Sequence, residues 1–209
     1  MLRHTVLIPC KRLSEGKSRL SELLSSRKRQ ELCASLLKQT LALAKLVASP
    51  ERIFLITADM EAMAQASAHG VSVIADHAND LNGALSEGRE RALLQSALTN
   101  NEGLLILPID LPLATKASLM KAAGYCDVTL ACDSRRSGTN LLALRGEAVR
   151  DFPFTFGNNS FIRHRDIAQR AGYSLSIVDD PVLAFDLDTA EDYLRVSRRN
   201  PFKAIQMAS

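Results

Sequence analysis

Long apolar runs are absent from this chain. No window approaches the roughly 18 apolar residues of a membrane-crossing helix. The apolar stretch from Val6 to Pro9 is far too short for the core of a signal peptide. A cytoplasmic protein without a membrane partner is expected. Cysteine is scarce: Cys10, Cys33, Cys126 and Cys132 form no Cys-x-x-Cys pair and show no zinc-ligand spacing. A disulfide scaffold and a structural zinc site are disfavoured, and reduced thiols fit best. A large charge excess is also missing. The formal net charge of +3 is too small to argue for nucleic acid as a partner. His-Glu-x-x-His, Gly-x-Gly-x-x-Gly and Ser-His-Asp signatures do not occur, which disfavours zinc proteases, Rossmann dehydrogenases and hydrolytic triads. There is no repeat, low-complexity tract or Gly/Ser linker, so the 209 residues are read as one domain.

What the chain does contain is alternation of strand and helix patterns. Residues 5–9 are apolar and end in Pro9, as in a buried first strand. Residues 27–47 carry Leu32, Leu36, Leu37, Leu41 and Ala44 at helical spacing. Further strands are predicted over 52–57, 71–74, 103–107, 128–132, 141–144, 175–178 and 182–186. Helices are predicted over 60–68, 82–98, 116–123, 160–171 and 190–198, the first with Asp59 as its cap and Gly70 beyond its end. This order implies a mostly parallel sheet covered on both faces, wound as a Rossmann-like sandwich.

Acids stand at two predicted strand ends. Asp110 follows the run 104–107, and Asp186 with Asp188 closes the run 182–186. In open α/β sheets ligands bind outside the carboxyl ends of strands. Carboxylates from two strands could share Mg²⁺, which keeps its other positions for water and substrate phosphates. Asp188 is a third candidate ligand with a competing task. Followed by Thr189, Ala190 and Glu191, it reads as the cap of the last helix, with Glu191 closing a capping box. Asp186 is therefore the preferred partner of Asp110.

Lys11, Arg12, Lys17, Arg19, Arg27, Lys28 and Arg29 crowd the N-terminal region. They suit either a phosphorylated ligand or a solvated helix face. Gly16-Lys17-Ser18 invites a P-loop reading, but Lys11 stands where that loop needs glycine. A different anion-binding loop before a helix remains open. Two more turns could hold an anion: Gly138-Thr139, with an amide and a hydroxyl, and Gly157 to Ser160, which opens a helix. His164 lies one turn after Ser160 and, as a lone histidine, is expected to be structural. Asn82 reads as a helix cap that could also meet a base or a ribose.

In order, the chain presents Ile8-Pro9-Cys10-Lys11, Gly16-Lys17-Ser18-Arg19-Leu20 and Leu81-Asn82-Gly83-Ala84. Pro108-Ile109-Asp110-Leu111-Pro112-Leu113 and Gly138-Thr139-Asn140 follow. Phe156-Gly157-Asn158-Asn159-Ser160-Phe161 with His164, and Asp186-Leu187-Asp188-Thr189-Ala190-Glu191-Asp192, complete the set. This series resembles the CofC/FbiD guanylyltransferases of coenzyme F420 biosynthesis. The resemblance spans nearly the whole chain, from Thr5 to Arg195, and leaves the tail 200–209 without a counterpart. Cys10 and Arg12 depart from an expected apolar residue and proline, and Gly16 from a usual alanine.

The resemblance implies a single-domain nucleotidyltransferase sandwich with a mostly parallel mixed sheet. It implies transfer of GMP from GTP to 2-phospho-L-lactate, phosphoenolpyruvate or 3-phospho-D-glycerate, with release of pyrophosphate. Asp110 and Asp186, with Asp188 as a further candidate, would hold Mg²⁺. Lys17, with Lys11 and Arg19 beside it, would neutralise the triphosphate, and Asn82 would lie near the nucleoside. Thr139, Gly157 and Ser160 would hold the acceptor. Related enzymes also suggest a homodimer. Two alternatives remain. A molybdopterin cytidylyl- or guanylyltransferase-like enzyme shares the Asp-x-Asp-Thr region but begins with a glycine-rich loop, where this chain has only Gly16. A nucleotide-sensing protein would bind GTP without turnover.

Overall fold

A computed structural model describes residues 4–78, 80–96 and 102–198 of the chain. Seven strands are present among the described residues: β1 (His4–Pro9), β2 (Ile53–Thr57), β3 (Ser72–Ala75), β4 (Gly103–Ile106), β5 (Val128–Cys132), β6 (Thr139–Arg145) and β7 (Leu175–Ile177). The α-helices are α1 (Ser26–Lys45), α2 (Met60–Ala68), α3 (Leu81–Ser96), α4 (Lys116–Ala122), α5 (Ala148–Asp151), α6 (Ser160–Arg170) and α7 (Ala190–Arg198). The end expected for the third helix at Leu98 lies outside the described residues, as does the tail 200–209.

The strands form one sheet in the order β3-β2-β1-β4-β6-β5-β7. β1 pairs parallel with β2 and β4, β2 with β3, and β5 with β7. β6 alone runs against its neighbours, antiparallel to both β4 and β5. Its reversal comes from the tight turn 133–138, where Asp133 accepts from the Ser137 amide at 2.8 Å and from the Ser137 hydroxyl at 3.1 Å. This brings the start of β6 to the edge where β1, β4 and β5 end. Thr139 and Asn140 therefore share an edge with Asp110.

Alternation along the strands builds a core on each face. Val6, Ile8, Leu105, Leu141 and Ala143 pack with Leu37 and Leu41 of α1 and Leu119 of α4. Leu7, Phe54, Leu104, Ile106, Leu142 and Leu144 pack on the other face with Leu85 of α3 and Phe161 of α6. A third, smaller cluster joins Leu20, Leu24, Leu32 and Leu36 to Phe185, Leu187 and Val196. Full burial of a Phe or Leu side chain is worth about 1.5–3 kcal/mol. The cluster thus ties the segment carrying Asp186 and Asp188 to the loop carrying Lys17.

The strand expected over 182–186 does not form. Asp180 takes the local donors: its carbonyl accepts from Leu183 and Ala184 at 3.1 and 2.9 Å, and its carboxylate accepts from Val182 at 3.0 Å. Pro181 supplies no donor. The chain turns and then runs extended, with the Leu187 amide donating to the Asp110 carbonyl at 2.9 Å.

Candidate active site

The carboxyl edge of the sheet carries two adjoining clefts. The first, of about 720 Å³, lies over the ends of β1, β2, β3 and β4 and is lined by Lys11, Lys17, Cys33, Asp76, Asp80 and Asp110, among others. The second, of about 1200 Å³, is lined by Arg19, Arg135, Thr139, Gly157, Ser160 and Asp186, among others. Leu81 and Asp188 line both clefts. Asp110 and Asp186 therefore face neighbouring clefts with Asp188 at the junction.

Lys17 sits at that junction. It follows a 3-10 turn over Leu13–Glu15 and precedes another over Ser18–Leu20, and it holds a left-handed backbone at φ 52°. Its Nζ donates to Asp188 Oδ1 at 3.0 Å and lies 3.5 Å from Asp110 Oδ2, with only 8% of the side chain exposed. Burial alone would push this ammonium down, but Asp110 and Asp188 outweigh it and hold the group above its ordinary value. Arg19 donates to Asp188 Oδ2 at 3.2 Å and lines the second cleft rather than the first.

Asp186 makes the opposite case. Burial, and then the charges of Asp110 and Asp188, raise its carboxyl to about 6. Even with Lys17 nearby, the Asp186 carboxyl stays above its ordinary value. Among the described residues no group of three or more His, Cys, Asp or Glu forms a ready-made metal cage.

Asp188 is free of the capping task its sequence context implied. The reciprocal bonds belong one residue later. Asp192 accepts from the amides of Asp188 and Thr189 at 3.2 and 2.8 Å, and its own amide donates to the Thr189 hydroxyl at 3.3 Å. Thr189 and Asp192, not Asp188 and Glu191, form the box that starts α7.

The acceptor-side turns are bound to each other. The Thr139 amide donates to Ser160 Oγ at 2.8 Å, so that amide is already engaged. His164 is fully buried between Thr139 Oγ1 at 2.9 Å and the Thr155 amide at 3.0 Å. Because Nε2 accepts from that amide, the neutral ring carries its proton on Nδ1 and donates to Thr139. Burial, then nearby Arg163, lowers this imidazole to about 4, so it is uncharged at neutral pH. Because the Thr139 hydroxyl oxygen accepts from His164, its own proton is free to turn outward. Gly157, at φ 114°, has a backbone that other residues avoid.

Asn82 has a different partner from the one its position suggested. Its Oδ1 accepts from the Phe156 amide at 2.7 Å, and its Nδ2 donates to the Phe156 carbonyl at 3.2 Å. The start of α3 is held by Asp80, whose carboxylate accepts from the Asn82 and Gly83 amides at 2.8 and 3.1 Å.

Three wall residues drew no notice in the sequence as site groups. Arg195 lines the second cleft with its guanidinium 5.2 Å from the Phe185 ring. Its position four residues after Glu191 on the last helix was the available signal. Cys10 and Cys33 line the first cleft. Burial leads the causes that push both thiols up, Cys10 to about 12. A Cβ on Gly16 would come within 2.5 Å of Cys33 Sγ, so glycine at 16 makes room for that sulfur.

Among the described residues no helix is long and apolar enough to cross a membrane. The fold is shared with solved nucleotidyltransferases. A nucleotidyl transferase from Methanothermobacter superposes with a TM-score of 0.64 at 18% identity, over 96% of this chain and 98% of that one. The CMP:2-keto-3-deoxy-manno-octonic acid synthetase complexed with CTP gives 0.60 at 12% identity, over 94% and 97%. Sequence relatives are nearer. The phosphoenolpyruvate guanylyltransferase of Chloroflexus aggregans is 37% identical over 193 residues, 89% of this chain and 93% of that protein. The 2-phospho-L-lactate guanylyltransferase of Methanothermobacter thermautotrophicus is 32% identical over 196 residues, 91% and 82%. The family described as "Guanylyl transferase CofC like" matches residues 4–197. With its seven-stranded mixed sheet and this nearly end-to-end match, the chain belongs to the CofC-like guanylyltransferase family.

Proposed function

We propose that this protein transfers GMP from GTP to a small phosphorylated three-carbon acid, as a step in coenzyme F420 biosynthesis. The observation that carries the reading is the pair of adjoining clefts, which meet at Asp188 with the ammonium of Lys17 between Asp188 and Asp110. The first cleft takes GTP, with Lys11 and Lys17 toward its phosphates. The second takes the acid, with Thr139, Gly157 and Ser160 toward its phosphate or carboxylate and Arg19 on its wall.

An acceptor phosphate oxygen attacks the α-phosphorus of GTP in line. The bond from that phosphorus to the bridging oxygen of the β-phosphate breaks, and pyrophosphate leaves with the electron pair. The nucleophile is already anionic, so no general base is required. Catalysis is positioning and charge neutralisation. Asp110 and Asp186, with Asp188 beside them, would hold Mg²⁺. Burial, then the nearness of Asp110 and Asp188, raises the Asp186 carboxyl, and that nearness supports this, because a hard cation needs only one or two protein carboxylates. When bound, such an ion would supply neutralisation of phosphate charge.

The acceptor is one of phosphoenolpyruvate, 2-phospho-L-lactate and 3-phospho-D-glycerate, which share size and charge. The test is pyrophosphate release by purified protein with each nucleoside triphosphate and each acid or a pterin acceptor, with Mg²⁺ or with a chelator. Release with GTP and one acid, lost on chelation and lost in Asp110→Asn, is expected. Release with CTP and a pterin acceptor would indicate a molybdopterin-type enzyme instead. GTP binding with no release under any pairing would indicate a sensor.

A further inference from the structure

Helix α3 lies between the two clefts, and its first turn faces the nucleotide side. Asp80, Leu81 and Ala84 line the first cleft, and Leu81 reaches the second. Asn82 is among the lining residues of neither. Both ends of its side-chain amide grip the backbone of Phe156, 74 residues away in sequence, at 2.7 and 3.2 Å. Two turns further along α3, Arg89 donates to the Phe152 carbonyl at 2.7 Å and lies 4.8 Å from the Phe154 ring. The helix therefore holds the segment 152–156 at both ends.

That segment leads directly into the acceptor-side turn. Gly157 and Asn159 follow at φ 114° and 55°, left-handed positions that fix the course of the turn immediately after Phe156. The ring of Phe156 packs edge-on against His164 at 5.0 Å. The neighbouring Thr155 amide donates to His164, which holds Thr139, which in turn donates to Ser160. An unbroken chain of contacts thus runs from the first turn of α3 to the groups on the wall of the second cleft.

We propose that Asn82 is a positioning residue that sets the acceptor-side turn relative to the nucleotide cleft through Phe156, without touching the nucleotide itself. This inference rests on the assignment of the two clefts to GTP and to the phosphorylated acid. It predicts an asymmetric effect. Loss of the amide loosens the acceptor side and leaves GTP binding intact.

The experiment compares Asn82→Ala and Asn82→Asp with the wild type. GTP affinity is measured by calorimetry without acceptor. The KM for the acid that the wild type uses is measured separately, and hydrogen exchange is followed over residues 152–160. In Asn82→Ala the acceptor KM should rise about tenfold, the scale of a lost pair of backbone-type hydrogen bonds. GTP affinity should stay within about twofold, and exchange at 156–160 should quicken. Asn82→Asp should also raise the acceptor KM, because its carboxylate keeps the bond from the Phe156 amide but sets an oxygen against the Phe156 carbonyl. It also carries the test if the alanine variant does not fold. Weakened GTP binding with an unchanged acceptor KM would overturn the inference in favour of direct nucleotide contact. Unchanged exchange and unchanged KM would overturn it outright. A wild type that releases no pyrophosphate would refute the proposed reaction instead, and the exchange measurement would still decide whether the clamp exists.

Discussion

Asp186 holds its proton more tightly in the folded protein than a free aspartate does, with its carboxyl at about 6 against an ordinary 3.8. Folded-state stability therefore falls as pH rises from roughly 4 to 6, and above that the full cost of the charge is carried. Asp186 is only partly buried, so solvent screening reduces this cost to the order of 1 kcal/mol. The same charge is what the proposed reaction needs. Asp186→Asn should raise the melting temperature at pH 8 by about 2–4 °C and abolish pyrophosphate release. At pH 5 the difference in melting temperature should shrink, because the wild-type carboxyl is then largely protonated. Thermal melts at the two pH values, beside the assay, check this. A variant less stable than wild type at pH 8 would show that the Asp186 charge is not a net cost. Asp110 was legible in the sequence as an acid following the run of β4, whereas Asp186 reaches the same edge on an extended segment that is not the strand its apolar run predicted. The cost of Asp186 was not legible, because it depends on how near Asp110 and Asp188 lie after folding.

At the scale of elements, the last helix shows where one-residue spacing decides the chemistry. The pattern from Asp188 to Asp192 holds two overlapping candidate boxes, and the sequence reads as Asp188 with Glu191. The folded chain uses Thr189 with Asp192, because Leu187 is buried in the small cluster and its amide is tied to Asp110. That anchoring turns Asp188 toward Lys17 and Arg19. Asp192→Ala should cost about 1–2 kcal/mol of stability and lower turnover by freeing Asp188. Glu191→Ala should change stability by less than about 0.5 kcal/mol. Chemical denaturation of the two variants separates the boxes, and an equal loss in both would return the cap to the Asp188–Glu191 reading. The failed strand at 182–186 has a related cause. Leu183, Phe185 and Leu187 are buried at period two, which is the pattern of a strand. Burial alternation survives in any extended chain, however. Only the hydrogen bonds distinguish a ladder, and here Asp180, the Asn140 side chain on the Leu183 carbonyl and the Leu187 link to Asp110 take them.

For the whole molecule, the sheet separates chemistry from stability by its two ends. The clefts occupy the edge where β1 ends at Pro9, and His4 lies at the other end of the same strand. His4 is buried against Gly103, where an added Cβ would come within 2.3 Å of the imidazole ring. Burial, then the nearby charge of Arg145, lowers this imidazole from 6.5 to about 4. His164 is lowered to the same value behind the acceptor-side turn. Both groups protonate more readily in the unfolded chain. Their contribution is complete above pH 6.5 and is lost as pH falls toward 4, on the order of 3 kcal/mol for each at the limit. Together these two groups contribute about 2.7 kcal/mol per pH unit to an acid limb between pH 6 and 4.5, and the Asp186 carboxyl offsets part of it over the same range. The sites share no partner, so their effects should add. His4→Leu should lower that slope by about 1.4 kcal/mol per pH unit and leave pyrophosphate release at pH 8 unchanged. Denaturant titrations across this pH range measure the slope directly. An unaltered slope would show that His4 does not drive the acid limb. A loss of activity at pH 8 would show that the two ends of the sheet are coupled after all.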